Sequence, residues 1–441
     1  MPTMLKLPIT NVYAKGDYCA TLHIGSEHTP VNLILDTGSS TLVVKDENYQ
    51  ASKDKHLTPT AIAQEVNYGI GGWNGPVIHS SISIYDESAT GEKPSITLEN
   101  ATMALISSKT QYATFFKADG MLGLAYHHLN KGFNLSDYIQ EQKIVPAHTY
   151  PWPFIENDLQ DSEDLKQFKH FLWQYPEHDI TPYFTDLALH NLSANKFSFY
   201  SKRSAIHINE NHSAQSSPDT LKQDPLNQGW LILGGGEKQT DLYQGDFSCI
   251  KVEHDVYYNV ELISVQVADK APIAAAPLDK KNLKSYLTNA IIDTGAGGIL
   301  LTAEIYQQVI NDLIAINSDF AALLKPFKEL SAQEVGINAS ELNLDQWPDI
   351  TITFVGITNK ENTDKVDKGV KKKTVQLSCK PQTYWQVNTP SFGKACFRLL
   401  SQLPQWPNQS IIGLPLLNNY YVIFDRSVHK TGVIKFAKQK K

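Results

Sequence analysis

The sequence predicts a mainly β protein built as two similar lobes, and three observations carry that prediction. Its 441 residues, 41% hydrophobic and 10% aromatic, exceed what a single hydrophobic core organises. Short runs rich in Val, Ile, Leu, Thr and Tyr recur between turn residues throughout the chain. An apolar strand runs into Asp-Thr-Gly twice, at Asp36 and again at Asp293, with the same order of elements after each copy.

The strand-like runs fall at 18–24, 31–35, 77–85, 196–200, 230–233, 257–267, 350–354, 420–424 and 432–436. Helical spacing is clearest at 303–327, where Ile305, Val309, Leu313, Ile316 and Phe320 step by three or four behind Thr302 as N-cap. A second helical stretch lies at 164–175, with Leu165, Phe168, Phe171, Leu172 and Tyr175 on one side. Three segments read as insertions: the aromatic-rich 127–179, the polar 202–228 and the Lys-rich 358–373. Lobes are expected at 1–200 and 201–441, with the boundary near 195–205.

Charge and cysteine usage exclude several classes. Lys and Arg number 39 against 46 Asp and Glu, a net charge of -7, so nothing draws the chain to a phosphate backbone and no nucleic-acid partner is expected. Four scattered cysteines, Cys19, Cys249, Cys379 and Cys396, make neither a metal knuckle nor a disulfide scaffold. The 14 histidines lack HExxH or comparable ligand spacing, so neither metal nor other cofactor is expected. Gly234-Gly235-Gly236 lacks the Lys and following helix of a phosphate loop and reads as a turn. No stretch reaches the length of a membrane span, and the first residues lack the features of a secretory signal, so a soluble, cytoplasmic monomer is expected.

The two repeats carry the chemistry. Val31-Asn32-Leu33-Ile34-Leu35 leads into Asp36-Thr37-Gly38-Ser39-Ser40, and Ala290-Ile291-Ile292 into Asp293-Thr294-Gly295-Ala296-Gly297. Downstream of each stands an apolar-apolar-Gly element, Met121-Leu122-Gly123 and Ile411-Ile412-Gly413. An Asp closing an apolar strand sits at a buried strand end, where a lone carboxylate is costly. Two such carboxyls meeting across a two-fold axis would share one proton, because like charges about 3 Å apart do not both ionise. One then draws a proton from a water between them while the other protonates a carbonyl oxygen, which hydrolyses an amide without metal or covalent intermediate.

In these residues the chain resembles the pepsin family of aspartic endopeptidases. The resemblance implies a bilobal pepsin-like fold with a central cleft that holds an extended peptide, and a peptide or protein substrate or a pepstatin-type inhibitor as partner. It makes Asp36 and Asp293 the catalytic dyad, Thr37 and Thr294 a cross-bond beneath them, and Ser39 a donor to the outer oxygen of Asp36, with Gly38 and Gly295 turning the loops. It reads 66–76 as a flap hairpin, glycine-rich and able to open, with Tyr68 and Gly69 at the substrate; a mobile surface hairpin with a core tyrosine is the bland alternative. Ile34, Tyr68, Tyr112 and Met121 would line the main specificity pocket, favouring large hydrophobic or aromatic side chains, or else serve as ordinary core. The resemblance extends to the Asp119–Tyr126 segment and to Tyr421–Arg426, leaving only the three insertions outside.

Departures from the family's pattern carry their own expectations. The tryptophan expected after the first motif is Val43, so the flap is anchored differently, with Trp73 as a candidate substitute. Ala296 offers no hydroxyl to Asp293, a feature shared with renin and the retroviral proteases; losing a bond that favours the ionised carboxylate predicts a less acid optimum than pepsin's, roughly pH 4–6. The family's disulfide frame is missing, and free buried thiols are expected. Asp36 stands so early that no inhibitory prosegment is expected, and with the missing signal this resembles the bacterial pepsin homologues called shewasins. A catalytically inactive pepsin-fold binding protein is the alternative from another class.

Overall fold

The structure is a computed structural model that describes residues 4–67, 71–86, 93–106, 111–154, 162–357, 373–403 and 405–440. It divides into two compact units, Met1–Leu7 with Cys19–Asn195, and Pro8–Tyr18 with Lys196–Lys441. Lys196–Tyr200, assigned on sequence to the first lobe, stands in the second unit because it pairs antiparallel with Gln228–Leu233 on one side and Tyr420–Asp425 on the other. The early segment Pro8–Tyr18 goes with it: the Asn11 amide donates to Ala205 O, and the Tyr18 hydroxyl accepts the backbone N–H groups of Lys202 and Arg203.

The first unit is a curled sheet. In spatial order its strands are Glu177–Asp179, Lys131–Asn134, Thr58–Asn67, Gly72–Ile84, Ile96–Ile106, Leu42–Lys45, Gly120–Gly123 and Thr29–Asp36. Cys19 to Ile24 follow beside Thr29–Asp36, and the sheet turns back on itself where Ile24 pairs with Ile82. Gly72–Ile84 is buried at all but one position, as a strand covered on both faces should be. Val31, Leu33, Leu35, Val44, Val77, Ile82 and Leu105 have no exposed surface and form the core.

Among the described residues, the second unit includes an antiparallel set in which Lys196–Tyr200, Tyr420–Asp425 and Val433–Gln439 are adjacent, together with three smaller sheets of six, four and three strands. A cluster of rings, Phe320 stacked on Trp347 with Trp385 and Phe397 beside them, fills another part of its core. Ala303–Ile316 is helical as the spacing predicts, but the helix does not run on to Phe327. Asn317 is extended and its side-chain oxygen accepts the Asp319 N–H, a local bond that competes with helix continuation, and a new helix starts at Phe320. Thr302 stands at the N-cap with no side-chain capping bond. The run 257–267 is likewise two strands, Tyr258–Val260 and Leu262–Val267, in different sheets.

The insertions have separate fates. In 127–179, Phe133, Leu135, Ile139, Phe168 and Leu172 form a small core with the rings of Tyr138, Trp152, Phe154, Phe171 and Tyr175 against it. That layer lies on the outer edge of Thr58–Asn67, through pairing of Ala63 with Phe133 and of Ile62 with Asn134. The polar 202–228 segment is tied down by His207 Nδ1 at 2.7 Å from Asp224 Oδ2. Of 358–373, only Lys373 is among the described residues. All four cysteines are free; Cys19, Cys379 and Cys396 are buried as expected, whereas Cys249 is only half-buried.

Asp425 ends the strand Tyr420–Asp425 with its side chain 2% exposed, and Lys435 Nζ lies 2.8 Å from Oδ2. Burial alone would raise its pKa, but Lys435 and the Ser427 hydroxyl and N–H outweigh burial and hold the carboxyl below the usual carboxylate range. A depressed folded-state value means that stability from this group is present above the unfolded value and is lost as pH falls through the folded one. Thermal unfolding followed from pH 5 down to pH 2 should therefore show Asp425→Asn with a shallower acid loss than wild type. Lys435→Met, leaving a buried carboxylate unpaired, should destabilise at neutral pH by about 3 kcal/mol; equal slopes and an unchanged midpoint would remove this pair from the account.

Candidate active site

Strand Gly120–Gly123 is threaded between two strands of the first repeat. It runs parallel to Thr29–Asp36, with Ile34 opposite Met121 and Asp36 opposite Gly123, and antiparallel to Leu42–Lys45, with Val43 opposite Met121. The loop between those outer strands is pinned at its base: Leu124 N–H donates to Asp36 O at 2.6 Å, Ala125 N–H to Ser39 O at 2.7 Å and Gly123 N–H to Thr41 O at 2.9 Å. On the loop, Gly38 N–H donates to Asp36 Oδ1 at 2.7 Å. Asp36 is 6% exposed and Thr37 fully buried.

The second unit repeats this construction. Ser410–Ile412 runs parallel to Ala290–Ile292 and antiparallel to Ile299–Leu301, so it too lies between the strands that flank an Asp-Thr-Gly loop. Asp293 N–H donates to Ile412 O at 3.0 Å, Leu414 N–H to Ala296 O at 2.9 Å, and Gly295 N–H to Asp293 Oδ1 at 2.8 Å. Thr294 is fully buried and Asp293 partly so. Each unit thus presents an aspartate at the end of an interior strand, one carboxylate oxygen taken by the N–H two residues on.

The other expected site residues fare differently. Ser39 does not follow the role that the resemblance implies: its hydroxyl donates to Met121 Sδ at 3.1 Å. The parallel register is the reason, since it brings Met121 alongside Ile34 at the foot of the same loop. Ile34 is 3% and Met121 9% exposed, an apolar pair side by side. Tyr68 and Gly69 lie outside the described residues; Tyr112 belongs to a short 3-10 turn, Gln111–Phe115, and its side chain is outside them. Val43, at the family's tryptophan position, is fully buried in the core. Trp73 is fully buried too, opposite Val66 where the arms Thr58–Asn67 and Gly72–Ile84 pair.

Sequence reasoning missed a buried polar cluster next to the first loop. Gln64 Nε2 donates to Asn130 Oδ1 at 2.8 Å and to Lys131 O at 2.9 Å, and Thr41 Oγ1 donates to the same Asn130 oxygen at 3.2 Å. Nearby Glu65 has a side chain only 4% exposed and lies 3.5 Å from Lys169 Nζ. Burial raises the pKa of Glu65, with Lys169 and Asn67 pulling the other way. The signal that would have found Gln64 is its place between Ile62 and Val66, a polar residue at an apolar position of a period-two strand.

Close approach makes two glycines of this site irreplaceable. A Cβ on Gly123 would stand 2.5 Å from the backbone of Ser40, and one on Gly413 2.2 Å from the carbonyl oxygens of Ala296 and Gly298. On Gly297 a Cβ would meet nothing nearer than Ser204 O at 3.3 Å. Gly123→Ala and Gly413→Ala should each lower unit stability by about 3 kcal/mol, at the upper end of overpacking costs, while Gly297→Ala stays within about 1 kcal/mol. Denaturant midpoints of the three variants check this; equal costs would contradict the threaded-strand geometry.

The arrangement, a strand threaded through each of two Asp-Thr-Gly loops, can be compared with known proteins. Mouse (Mus musculus) cathepsin D is 20% identical over 440 residues, covering 95% of this chain and 80% of that protein. The model of the Eukaryotic aspartyl protease family matches residues 17–154 and 220–438. That match includes 127–154, 220–228 and all of 358–373, so of the three insertions only the stretch 155–219 falls in its internal gap. With both loops and most of the chain inside the match, this protein belongs to the Eukaryotic aspartyl protease family, the pepsin-like aspartic proteases.

Proposed function

We propose that the chain is an active aspartic endopeptidase in which Asp36 and Asp293 share one proton and activate a water against a peptide carbonyl. The observation that carries this reading is the matched pair of loops, with Gly38 N–H on Asp36 Oδ1 at 2.7 Å and Gly295 N–H on Asp293 Oδ1 at 2.8 Å. A fixed backbone donor on one oxygen orients each carboxylate, so that proton transfer proceeds without reorganising the site. The carboxylate that holds the proton gives it to the substrate carbonyl oxygen; the other removes one from the attacking water. As the C–N bond breaks, the carboxyl that took the water's proton gives it to the amine nitrogen, the other carboxylate takes one from a hydroxyl of the tetrahedral intermediate, and the pair again holds a single proton.

Substrate preference follows from the apolar neighbours. Ile34 and Met121, paired across parallel strands beside Asp36, support a preference for large hydrophobic or aromatic side chains at the cut bond, with Tyr68 and Tyr112 as the further contacts. Ala296 presents no hydroxyl beside Asp293, which supports a mildly acid optimum, about pH 4–6 rather than near 2. The four unbridged thiols fit a reducing compartment, and a cytoplasmic enzyme of the bacterial shewasin type is the setting proposed.

Cleavage of a fluorogenic peptide with Phe or Leu at the scissile bond tests the reading. Wild type should cleave it most rapidly at about pH 4–6, lose activity with pepstatin, and lose about 10³-fold in kcat in Asp36→Asn and in Asp293→Asn alike. Binding of pepstatin with no cleavage by wild type would instead identify an inactive binding protein, and cleavage unaffected by either substitution would place the chemistry elsewhere.

A further inference from the structure

The Asn130 cluster does more than fill space. Asn130, Gln64 and Thr41 are 2%, 2% and 4% exposed, so their hydrogen bonds are made in a dry interior where an unpaired donor is costly. Thr41 closes the Asp36 loop, its carbonyl accepting Gly123 N–H across from Asp36. Gln64 stands on Thr58–Asn67, the first arm of the hairpin whose second arm is Gly72–Ile84. An amide NH2 has two protons, and the two shorter contacts from Gln64 use them, leaving its 3.4 Å approach to Thr41 the weakest of the set. The two stronger links between loop and arm therefore converge on Asn130 Oδ1, which receives a donor from each.

Asn130 is itself held from both sides. Its N–H donates to His127 O at 3.0 Å and its carbonyl accepts Ile180 N–H at 2.9 Å, so the side chain projects from a backbone tied at both faces. The next residues, Lys131–Asn134, pair with the hairpin arm, and Lys169 reaches Glu65 on that arm from the helix Ser162–Leu172.

We propose that Asn130 is a positioning residue: its side-chain oxygen locks the Asp36 loop and the Thr58–Asn67 arm into one register, and so sets the geometry at which the aspartate meets its substrate. This rests on the reading of Asp36 as catalytic. A displacement of about 1 Å at a reacting group costs up to about 10²-fold in rate, which is the scale on which such a lock acts.

The test compares Asn130→Ala, Thr41→Val, Gln64→Met, the Thr41→Val/Gln64→Met double variant, and Asn130→Asp, which keeps an accepting oxygen. Amide hydrogen exchange is read at 39–43 and 62–66, and kcat and KM on the fluorogenic peptide at pH 5 are normalised to sites titrated with pepstatin. Asn130→Ala should speed exchange in both segments together by about tenfold, the weight of one net hydrogen bond. It should lower kcat per titrated site by about 10- to 100-fold with KM little changed. Asn130→Asp should restore both, and the double variant should cost less than its two singles combined. A purely structural residue would lower the number of titratable sites and leave kcat per site intact. Faster exchange in one segment only, additive singles, or an unchanged kcat per site would overturn the proposal. If wild type cleaves nothing, the peptidase reading fails by itself, and exchange in the two segments still decides whether Asn130 couples them.

Discussion

A carboxylate at the end of a buried strand is the constraint from which the rest of this structure follows. Asp36 finishes an interior strand and is 6% exposed, so water alone does not solvate it and the fold must supply fixed partners. The backbone does so: the chain turns sharply at Gly38, whose N–H comes round to the carboxylate, and a third strand passes beneath to hold the turn in place. That strand fits because neither Gly120 nor Gly123 has a side chain: a Cβ would stand 1.9 Å from Val43 O at the first and 2.5 Å from the Ser40 backbone at the second. Local chain geometry, packing and electrostatics therefore meet within about six residues, and the same solution stands in the second unit around Asp293, Gly295 and Gly413.

Similar frames do not require similar trimmings. The first loop continues into Ser39, Ser40 and Thr41, each with a hydroxyl, while the second continues into Ala296, Gly297 and Gly298, with none. In the first unit two of the three hydroxyls are engaged sideways, Ser39 toward Met121 and Thr41 toward Asn130. The backbone contact is common to both, Ala125 N–H on Ser39 O in the first unit and Leu414 N–H on Ala296 O in the second, so the hydroxyl contacts are an addition that the first loop alone has the side chains to make. Under the proposed mechanism, different surroundings are what would let one carboxyl serve as acid and the other as base.

The parts of this architecture that are local in sequence were legible there. Asp-Thr-Gly after an apolar strand and the apolar-apolar-Gly element downstream are contiguous strings, and pairing between them follows from their order. The helix 303–316 was visible in its spacing, but its end was not, because a single Asn317 side chain redirected the Asp319 N–H. The Ser39 contact with Met121 depends on strand register across 82 residues, and the Asn130 hub joins partners 66 and 89 residues away. No window of sequence contains such contacts. The division at 195/196 lies within the stretch that the sequence marks, but the side to which 196–200 goes was not legible: a strand belongs to whichever neighbours it pairs with, and those of Lys196–Tyr200 lie far down the chain.

The central proposal is that Asp36 and Asp293 act on one shared molecule. A crystal structure of the chain with pepstatin measures this directly, because the inhibitor's central hydroxyl takes the place of the attacking water. The account predicts that hydroxyl within about 3 Å of a carboxylate oxygen of each residue. An inhibitor seated against only one of the two aspartates, or against neither, would contradict it.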